Sequence, residues 1–427
     1  MPFAAFDLHK KEVEAVILSD LGDLTNRERF PTTREALVDF AKRKLTPDTQ
    51  LALEATTNTW PVVELLRPFV QSITVSNPMK TRAIAEAKVK TDKVDALILA
   101  NLLRLNYLPA VWYPDPATQA MRRNSTERTM LVNDRTRVKN RIHSILHQRL
   151  ITAPDPDLFS AKSQIWLSQL EIDPEGRQSL DRHLRLLASI EAEIAPITKT
   201  MATHAWNDPR IKLLMTLPGV DFTVAESMLA AFGDIARFPS AKQAASYLGL
   251  TPSTYQSGNK SYHGRITKQG SSHARFMMVE AAQTASRHPG PLGHFFNKLK
   301  KKKGRNPAIV ALAHKLVLIA WHMLKNNEPY RYATPSTLEA KFSRLRIQVT
   351  GEKRKGGYAK GSKRKPTYGS GVRTKAVPSL AALYQREGLP PNPAFRPGEN
   401  NMLAASGLAE LPILIQQPKR VPTKASR

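Results

Sequence analysis

The sequence contains no cysteine among its 427 residues. Disulfide bonds are therefore excluded, and so are the zinc sites that depend on cysteine thiolates. The absence fits a reducing compartment, and the N-terminal residues MPFAAFDLHKKEVE lack the basic and apolar segments of a secretory signal peptide. We therefore expect a cytoplasmic protein.

Long apolar runs are also scarce. The best candidate for a membrane span runs from Ala308 to Leu324, but His314 and Lys315 interrupt it. A span of this kind needs about 20 predominantly apolar residues. We interpret the segment as a buried core helix.

Acidic side chains are few, with 36 Asp and Glu against 64 Lys and Arg, and the formal net charge is +28. Such a surface attracts polyanions, most often nucleic acid. A ribosome-like or simply soluble basic protein and a protein that binds an anionic membrane are the alternatives. Nucleic acid is favoured because the positive charge is spread along the whole chain rather than confined to one amphipathic helix.

The first hundred residues alternate between strand and helix patterns. Apolar runs predict strands at 3–8, 12–18, 26–31, 50–55 and 72–76, and helical periodicity predicts helices at 33–44, 59–69, 78–86 and 92–106. Three strands, helix, strand, helix, strand, helix is the order of an RNase H-like α/β domain. We assign this domain to residues 1–112.

The rest of the chain is predicted to be mostly helical. We expect a helical or coiled-coil linker domain at 113–205, a mostly α-helical domain at 206–335 and a basic, flexible tail at 336–427. Leucines and isoleucines between Leu180 and Met201 recur at spacings of three and four, which suits either a dimer seam or packing within one chain. Pro196 predicts a kink or restart of that helix.

Basic residues form two candidate nucleic-acid surfaces. In the helix predicted at 117–150, an apolar face could pack against the protein while a basic face contacts phosphates. A charged helix face that is simply exposed to solvent would show the same spacing of residues. A Gly- and Ser-rich segment after residue 250 offers further cations. The candidate nucleic-acid-binding residues are Lys88, Lys90, Arg122, Arg123, Arg135, Lys139, Arg141, Lys260, Arg265, Lys268 and Arg275.

Four carboxylates stand out in the first domain. Asp7 and Glu54 end predicted strands, and Asp92 and Asp95 share one face at the start of a predicted helix. Each has an ordinary alternative reading, as a turn residue, a helix cap or a surface charge. Together, on these elements, they favour a site for two divalent ions, Mg²⁺ or Mn²⁺, of the kind that cleaves phosphodiesters.

The later helical domain carries two further motifs. LPGV at 217–220 before a helix resembles a helix-hairpin-helix turn that offers backbone N–H groups to a phosphate, although a plain pair of helices fits almost as well. Ser257, between Gln256 and Gly258, is a candidate nucleophile. The pattern alone does not distinguish it from its neighbours Ser253, Ser261, Ser271 and Ser272.

These residues resemble a known family over roughly residues 3–325. The chain resembles bacterial insertion-sequence transposases, also called bridge-RNA-guided recombinases, which combine a RuvC-like DEDD domain with a C-terminal serine domain. The matching segments are FDLHK, LEATTNTW and SNPMKTRAIAEAKVKTDKVDALILA in the first domain, and LMTLPGVDFTVAESMLAAFGDIARF and SYLGLTPSTYQSGNKSYHGRITKQGSSHAR in the second.

The resemblance implies a reaction and its partners. Asp7, Glu54, Asp92 and Asp95 would be the metal-binding tetrad, and Ser257 would attack the DNA backbone and form a transient covalent link. The enzyme would act as a dimer or tetramer, with the metal domain of one subunit completed by the serine domain of another. A structured non-coding guide RNA would pair with donor and target DNA.

Two departures from the family pattern and two rival functions remain at this point. Ala5 and Phe6 precede Asp7 where a Gly-Ile/Val pair is usual, and Asp221 follows the Pro-Gly turn where glycine is common. One alternative function is a metal-dependent, structure-specific endonuclease that activates water. The other is a non-catalytic protein that binds DNA or RNA.

Overall fold

The chain forms two compact units, Met1–Pro114 and Asp115–Arg427. A computed structural model describes residues 1–84, 91–352, 374–395, 397–416 and 419–422. The predicted division into four domains differs from this, because the predicted linker, helical domain and tail all fall within the second unit.

The first unit is built on a five-stranded mixed sheet with the order β3-β2-β1-β4-β5. β1 pairs antiparallel with β2 and parallel with β4, and β4 pairs parallel with β5. The predicted elements are present, with shifts of a few residues at their ends. They are β1 Phe3–Leu8, β2 Glu12–Leu18, β3 Leu24–Pro31, α1 Arg34–Lys44, β4 Gln50–Glu54, α2 Thr59–Leu66, a 3-10 turn Arg67–Phe69, β5 Ser72–Ser76, α3 Pro78–Ile84 and α4 Asp92–Arg104.

Alternation along the strands buries both faces of this sheet. In β1, Phe6 packs in a core with residues of α1 and α2, whereas Ala5 packs with Ala96 and Leu99 of α4. Successive side chains of a strand point to opposite faces. Asp7 therefore lies on the α4 face of the sheet, at the end of the strand.

The second unit is mostly α-helical. Its elements are α5 Pro116–His147, α6 Ala161–Gln169, α7 Pro174–Asn207, α8 Pro209–Met215, α9 Phe222–Phe232, a 3-10 turn Ile235–Arg237, α10 Ala241–Tyr247, β6 Pro252–Ser257, β7 Lys260–Ile266, α11 Ser272–Ala285, α12 Pro291–Lys303, α13 Arg305–Asn326, α14 Pro335–Thr350, β8 Thr374–Val377, α15 Leu380–Glu387, α16 Pro397–Ala405, α17 Leu411–Gln416 and β9 Lys419–Pro422. β6 and β7 form a two-stranded antiparallel ribbon where the sequence predicted a loop.

The two long helices α5 and α7 pack against each other within the chain. Ile142 and Leu146 of α5 share a buried cluster with Leu180 and Leu187 of α7. The apolar seam predicted between Leu180 and Met201 thus has an intramolecular partner. Helix α7 also continues through Pro196 without a restart.

Helix α13 is the core helix that the sequence predicted between Ala308 and Leu324. It is the one helix among the described residues that is long and apolar enough to cross a membrane. Leu312, Leu316 and Val317 are fully buried in the largest core of the second unit. Protein, rather than lipid, therefore covers its apolar side chains.

The prediction of a flexible tail from residue 336 is wrong for the described part of that segment. Phe342 and Leu345 of α14 and Leu383 and Tyr384 of α15 are buried in the main core of the second unit. The Tyr384 hydroxyl donates a hydrogen bond to the carbonyl of Tyr330, 3.0 Å away. The prediction failed because it was based on the high content of Gly, Lys, Arg and Pro. A few apolar residues at helical spacing are enough for a helix to pack on a core. The basic run at 353–365 lies outside the described residues.

We expect Tyr384→Ala to destabilise the second unit by about 3–5 kcal/mol, because the change empties a large buried volume and removes a hydrogen bond. Urea unfolding followed by circular dichroism measures the effect. Gln385→Ala, at an exposed position of the same helix, is the control and should shift stability by less than about 0.5 kcal/mol. Equal midpoints for the two variants would show that α15 is not part of the core.

Candidate functional site

The parallel pairing of β1 with β4 brings two of the predicted carboxylates to adjacent strand ends. The register pairs Phe6 with Leu53, so Asp7 and Glu54 are the next residues along the two strands. Ala52 of β4 packs in the α4-side core, and Glu54, two residues later, shares that face with Asp7. Asp7 is buried, and Glu54 is half-buried.

Helix α4 supplies the other two carboxylates from its first turn. Thr91 caps the helix, its side chain accepting a hydrogen bond from the Val94 N–H, so Asp92 is free of the capping role. Ala96 and Leu99 of α4 pack on the sheet. Asp92 and Asp95 each lie four residues before one of them, which places both carboxylates on the sheet-facing side of the helix.

A histidine that the sequence analysis did not single out joins this cluster. His9 Nε2 lies 3.0 Å from an Asp7 carboxylate oxygen and 3.3 Å from one of Asp92. Among the described residues, Asp7, His9 and Asp92 offer ligand atoms that all lie within 4.8 Å of one another. The Asp-Leu-His spacing was the available signal, because residues two apart near a strand end share a face.

Sequence reasoning also missed a second layer of charges around the cluster. Glu14 lies opposite Asp7 on β2 and is 2% exposed. Arg29 of β3 donates hydrogen bonds to Glu14, at 3.1 Å, and to Asp92, at 2.7 Å. Arg29 thus connects a buried carboxylate of the sheet to the first turn of α4. Only the sheet register brings these distant residues together.

The electrostatic environment of Asp7 is unfavourable for a lone carboxylate. Burial raises the pKa of Asp7, the nearby His9 lowers it, and the charges of Asp92 and Asp95 raise it further. Desolvation and like charges both penalise the ionised form. A cation held among these groups would relieve both penalties.

The donor set suits a hard divalent cation. Asp7, Asp92, Asp95 and Glu54 all offer carboxylate oxygens, the ligands that Mg²⁺ and Mn²⁺ prefer. The ligand atoms of Asp7, His9 and Asp92 are close enough to share one ion, since opposite ligands of Mg²⁺ lie about 4.2 Å apart. Asp92 would exchange its contact with Arg29 for the ion. The residues present therefore fit a divalent metal.

Ser257 lies far along the chain, in the second unit, at the tip of the β6–β7 ribbon. It is exposed and pairs with Lys260 across a two-residue loop, Gly258-Asn259. Gly258 has φ +55°, which a glycine adopts without strain at the first position of a type II′ turn. The turn presents the Ser257 hydroxyl to solvent.

The neighbouring serines occupy different positions. Ser253 donates to the carbonyl of Arg265 at 3.3 Å, and Ser271 caps α11. Ser261 pairs with Gln256 on the opposite face of the ribbon from Ser257. Ser272 is exposed in the first turn of α11. Ser257 is thus the serine of this group that lies at the ribbon tip.

The turn at Leu217–Val220 is buried, which argues against the predicted phosphate-binding hairpin. Lys341 of α14 is buried and donates to the carbonyls of Met215 and Leu217 at 2.7 and 2.5 Å. A Cβ at Gly219 would lie 2.1 Å from the Ala281 carbonyl oxygen of α11. The glycine is therefore needed for close packing of helices rather than for approach to a phosphate. Burial also lowers the pKa of Lys341 to about 7.

Asp221, the departure from the family pattern, has a structural role in the same turn. It caps α9, and its Oδ1 accepts a hydrogen bond from the Val224 N–H at 3.0 Å. A plain pair of packed helices, the alternative that the sequence left open, describes this turn.

The predicted nucleic-acid-binding residues fall into groups. Arg122 donates to the Ala230 carbonyl at 2.8 Å, and Arg275 donates to the Leu248 carbonyl at 3.0 Å, so both stabilise the fold. Lys139 lies 3.8 Å from Glu191 and also over the ring of Phe159. Arg135 is half-buried, Lys88 and Lys90 lie outside the described residues, and the exposed members are Arg123, Arg141, Lys260, Arg265 and Lys268.

Two family models match parts of the chain. A DEDD transposase model, described as Transposase, matches residues 4–150, and a model described as Transposase IS116/IS110/IS902 family matches residues 211–297. The chain therefore carries two domains that match insertion-sequence transposases, at residues 4–150 and 211–297. The DEDD model implies an RNase H-like α/β fold for the first unit and dependence on a divalent metal.

Similar proteins are named as transposases or as a gene-inverting protein. A putative transposase y4qE of Sinorhizobium fredii is 31% identical over 48% of this chain and 50% of its own length. The transposase for insertion sequence element IS1111A of Coxiella burnetii is 27% identical over 48% of this chain and 58% of its own length. A pilin gene-inverting protein of Moraxella bovis is 25% identical over 60% and 74%. The matched segment thus spans 50% and 58% of the length of the first two of these relatives.

We expect Mg²⁺ or Mn²⁺ to stabilise the first unit and to raise its melting temperature. At a metal concentration of about 100 times Kd, the free energy of unfolding should rise by roughly 2–3 kcal/mol. Asp7→Asn should raise the metal-free melting temperature, because a buried charge is removed, and should abolish the response to metal. Calorimetry with and without EDTA measures both effects. Asp39→Asn, at an exposed position of α1, is the matched control. A full metal response in Asp7→Asn would place the ions elsewhere.

We expect Arg141→Gln and Arg122→Gln, two changes in the same helix, to act differently. Arg141 is exposed, so its replacement should reduce the slope of log K for DNA against log salt by about 1 and leave stability unchanged. Arg122→Gln should cost about 1–3 kcal/mol of stability, because it leaves the Ala230 carbonyl without that donor. Salt titrations and urea unfolding separate the two effects. An unchanged slope for Arg141→Gln would remove Arg141 from the DNA-binding surface.

Proposed function

We propose that this chain cuts and rejoins DNA to move an insertion sequence, with divalent ions held by Asp7, Glu54, Asp92 and Asp95 and with Ser257 as nucleophile. The two segments that match transposase models support the transposase activity. The cluster of Asp7 and Asp92 with His9 supports the metal site, since such a cluster is costly without a cation. The strand register and the helix periodicity put Glu54 and Asp95 on the same face.

The metal-binding residues would have distinct tasks. Asp7 sits on the rigid end of a buried central strand, so its carboxylate is fixed in place. Asp92 is 41% exposed and contacts the side chains of His9 and Arg29, so it would be able to adjust as ions bind. Bound divalent ions would supply positive charge to the phosphate that is cleaved.

Ser257 would carry the covalent step. Attack of its Oγ on a backbone phosphorus forms a serine–phosphate ester and breaks one P–O bond, releasing a deoxyribose hydroxyl, while the serine proton leaves to a base. Attack by a hydroxyl of another strand reverses the exchange and rejoins DNA. The exposed tip of a projecting ribbon supports this role, because a DNA phosphate can reach the hydroxyl without any core side chain moving.

The partners in this proposal follow from the resemblance and the charge. DNA is the substrate, at donor and target ends, and a structured non-coding RNA would select them by base pairing. The net charge of +28 supports binding of both polyanions. Assembly of two or four copies would bring paired DNA sites together. The α5–α7 seam is already buried within the chain, so another surface would mediate that assembly.

We expect Ser257→Ala to reduce strand exchange by at least about a thousandfold, because no covalent intermediate can form. The measurement uses purified full-length protein with Mg²⁺, the DNA ends of the element and the RNA encoded beside the gene. Denaturing gels would show loss of the protein–DNA adduct. Ser261→Ala, on the opposite face of the same ribbon, is the control and should retain activity.

The same assay separates the proposal from its main rival. A structure-specific endonuclease that activates water would still cut DNA in the Ser257→Ala variant, and the unmodified chain would form no protein–DNA adduct. Retained cutting and rejoining by Ser257→Ala would remove the serine from the mechanism.

A further inference from the structure

The β6–β7 ribbon presents two tyrosines beside Ser257. Tyr255 pairs directly with Tyr262 across the ribbon, and the two side chains are 72% and 66% exposed. Directly opposed residues of an antiparallel pair share a face and lie about 5 Å apart at Cβ. Tyrosine combines a large aromatic surface with a polar tip and is enriched at binding surfaces.

The register fixes the relation of these tyrosines to the nucleophile. Ser257 follows Tyr255 by two residues, and Lys260 precedes Tyr262 by two. Side chains two residues apart on a strand share a face. One face of the ribbon therefore carries Tyr255, Ser257, Lys260 and Tyr262, and we call it the tyrosine face. The opposite face carries Thr254, Gln256, Ser261 and His263.

The charge around the tyrosine face favours a polyanion. No acidic residue occurs between Asp234 and Glu280 in the sequence, whereas Lys260, Arg265 and Lys268 are exposed on or beside the ribbon. Aromatic rings next to cations are the arrangement with which proteins bind single-stranded nucleic acid, the rings stacking on bases and the cations contacting phosphates. A second protein with an apolar surface would not use these cations.

We propose that Tyr255 and Tyr262 stack on an unpaired DNA base next to the phosphodiester at Ser257. Stacking would hold the strand across the ribbon so that the adjoining phosphate lies at the Ser257 hydroxyl and near Lys260. The tyrosines act as positioning residues. The inference rests on the proposed function in taking the ribbon tip as the place of strand exchange.

The test measures binding of full-length protein to a single-stranded DNA oligonucleotide that carries 2-aminopurine, in EDTA so that no cleavage occurs. Stacking on a tyrosine ring quenches this base. Tyr255→Ala and Tyr262→Ala should each weaken binding at fixed salt by about fivefold or more and reduce the quenching. Tyr255→Phe and Tyr262→Phe should behave like the unmodified chain, because stacking needs the ring and not the hydroxyl.

His263→Ala is the matched control, since it removes an exposed ring from the opposite face of the same ribbon. It should leave binding and quenching unchanged. Alanine variants that bind and quench normally, or phenylalanine variants as weak as the alanine ones, would overturn the proposal. So would the same tyrosine dependence with duplex DNA, or with an RNA oligonucleotide but not DNA.

The binding assay and the strand-exchange assay can fail independently. If Ser257→Ala still exchanges strands, the serine mechanism fails, whereas tyrosine-dependent quenching in EDTA would still place a base on the ribbon. If quenching is independent of the tyrosines while Ser257→Ala is inactive, the serine mechanism stands and the stacking proposal is lost.

Discussion

The parallel pairing of β1 with β4 sets the geometry of the candidate metal site. It places Asp7 and Glu54 at neighbouring strand ends, on the face that α4 covers. Helix α4 can approach that face closely because Ala96 and Ala100 lie against the sheet. Small side chains at this contact let the first turn of α4 approach the strand ends, where Asp92 lies beside His9 and Asp7.

Concentrating acidic groups in so basic a chain has an electrostatic consequence. The cluster is held by partners that a cation can replace, with His9 between Asp7 and Asp92 and Arg29 between Glu14 and Asp92. These contacts keep the carboxylates oriented while no ion is bound. The site is therefore organised in advance by the same charges that a metal would displace.

The two candidate chemical groups differ in their surroundings. The carboxylates lie at the end of a buried sheet, where rigid strands fix their positions. Ser257 lies on a two-stranded ribbon that is exposed on both faces. A ribbon of this width fits a groove or a single strand of nucleic acid. Rigidly held carboxylates and an exposed serine suit the proposed enzyme, which must bind a long, bulky substrate.

The sequence determined the first unit almost completely. Its short apolar runs and its helical periodicity located the strands and helices that carry the four candidate carboxylates, because alternation and turn residues are local signals. Ser257 was found through resemblance, since many serines in that segment have similar neighbours. The buried α13 was also predictable, because His314 and Lys315 interrupt its apolar run.

Tertiary structure decided everything that depends on contacts between distant residues. Arg29 joined the carboxylate cluster through the sheet register, and Tyr255 pairs with Tyr262 because a tight turn joins the two strands of the ribbon. Composition had suggested that Arg122 and Arg275 contact nucleic acid, but both donate hydrogen bonds to backbone carbonyls within the fold. Composition had also suggested a flexible tail, but α14 and α15 are core helices. Composition and periodicity describe a residue's own segment, whereas burial and hydrogen bonding depend on which other segment packs against it.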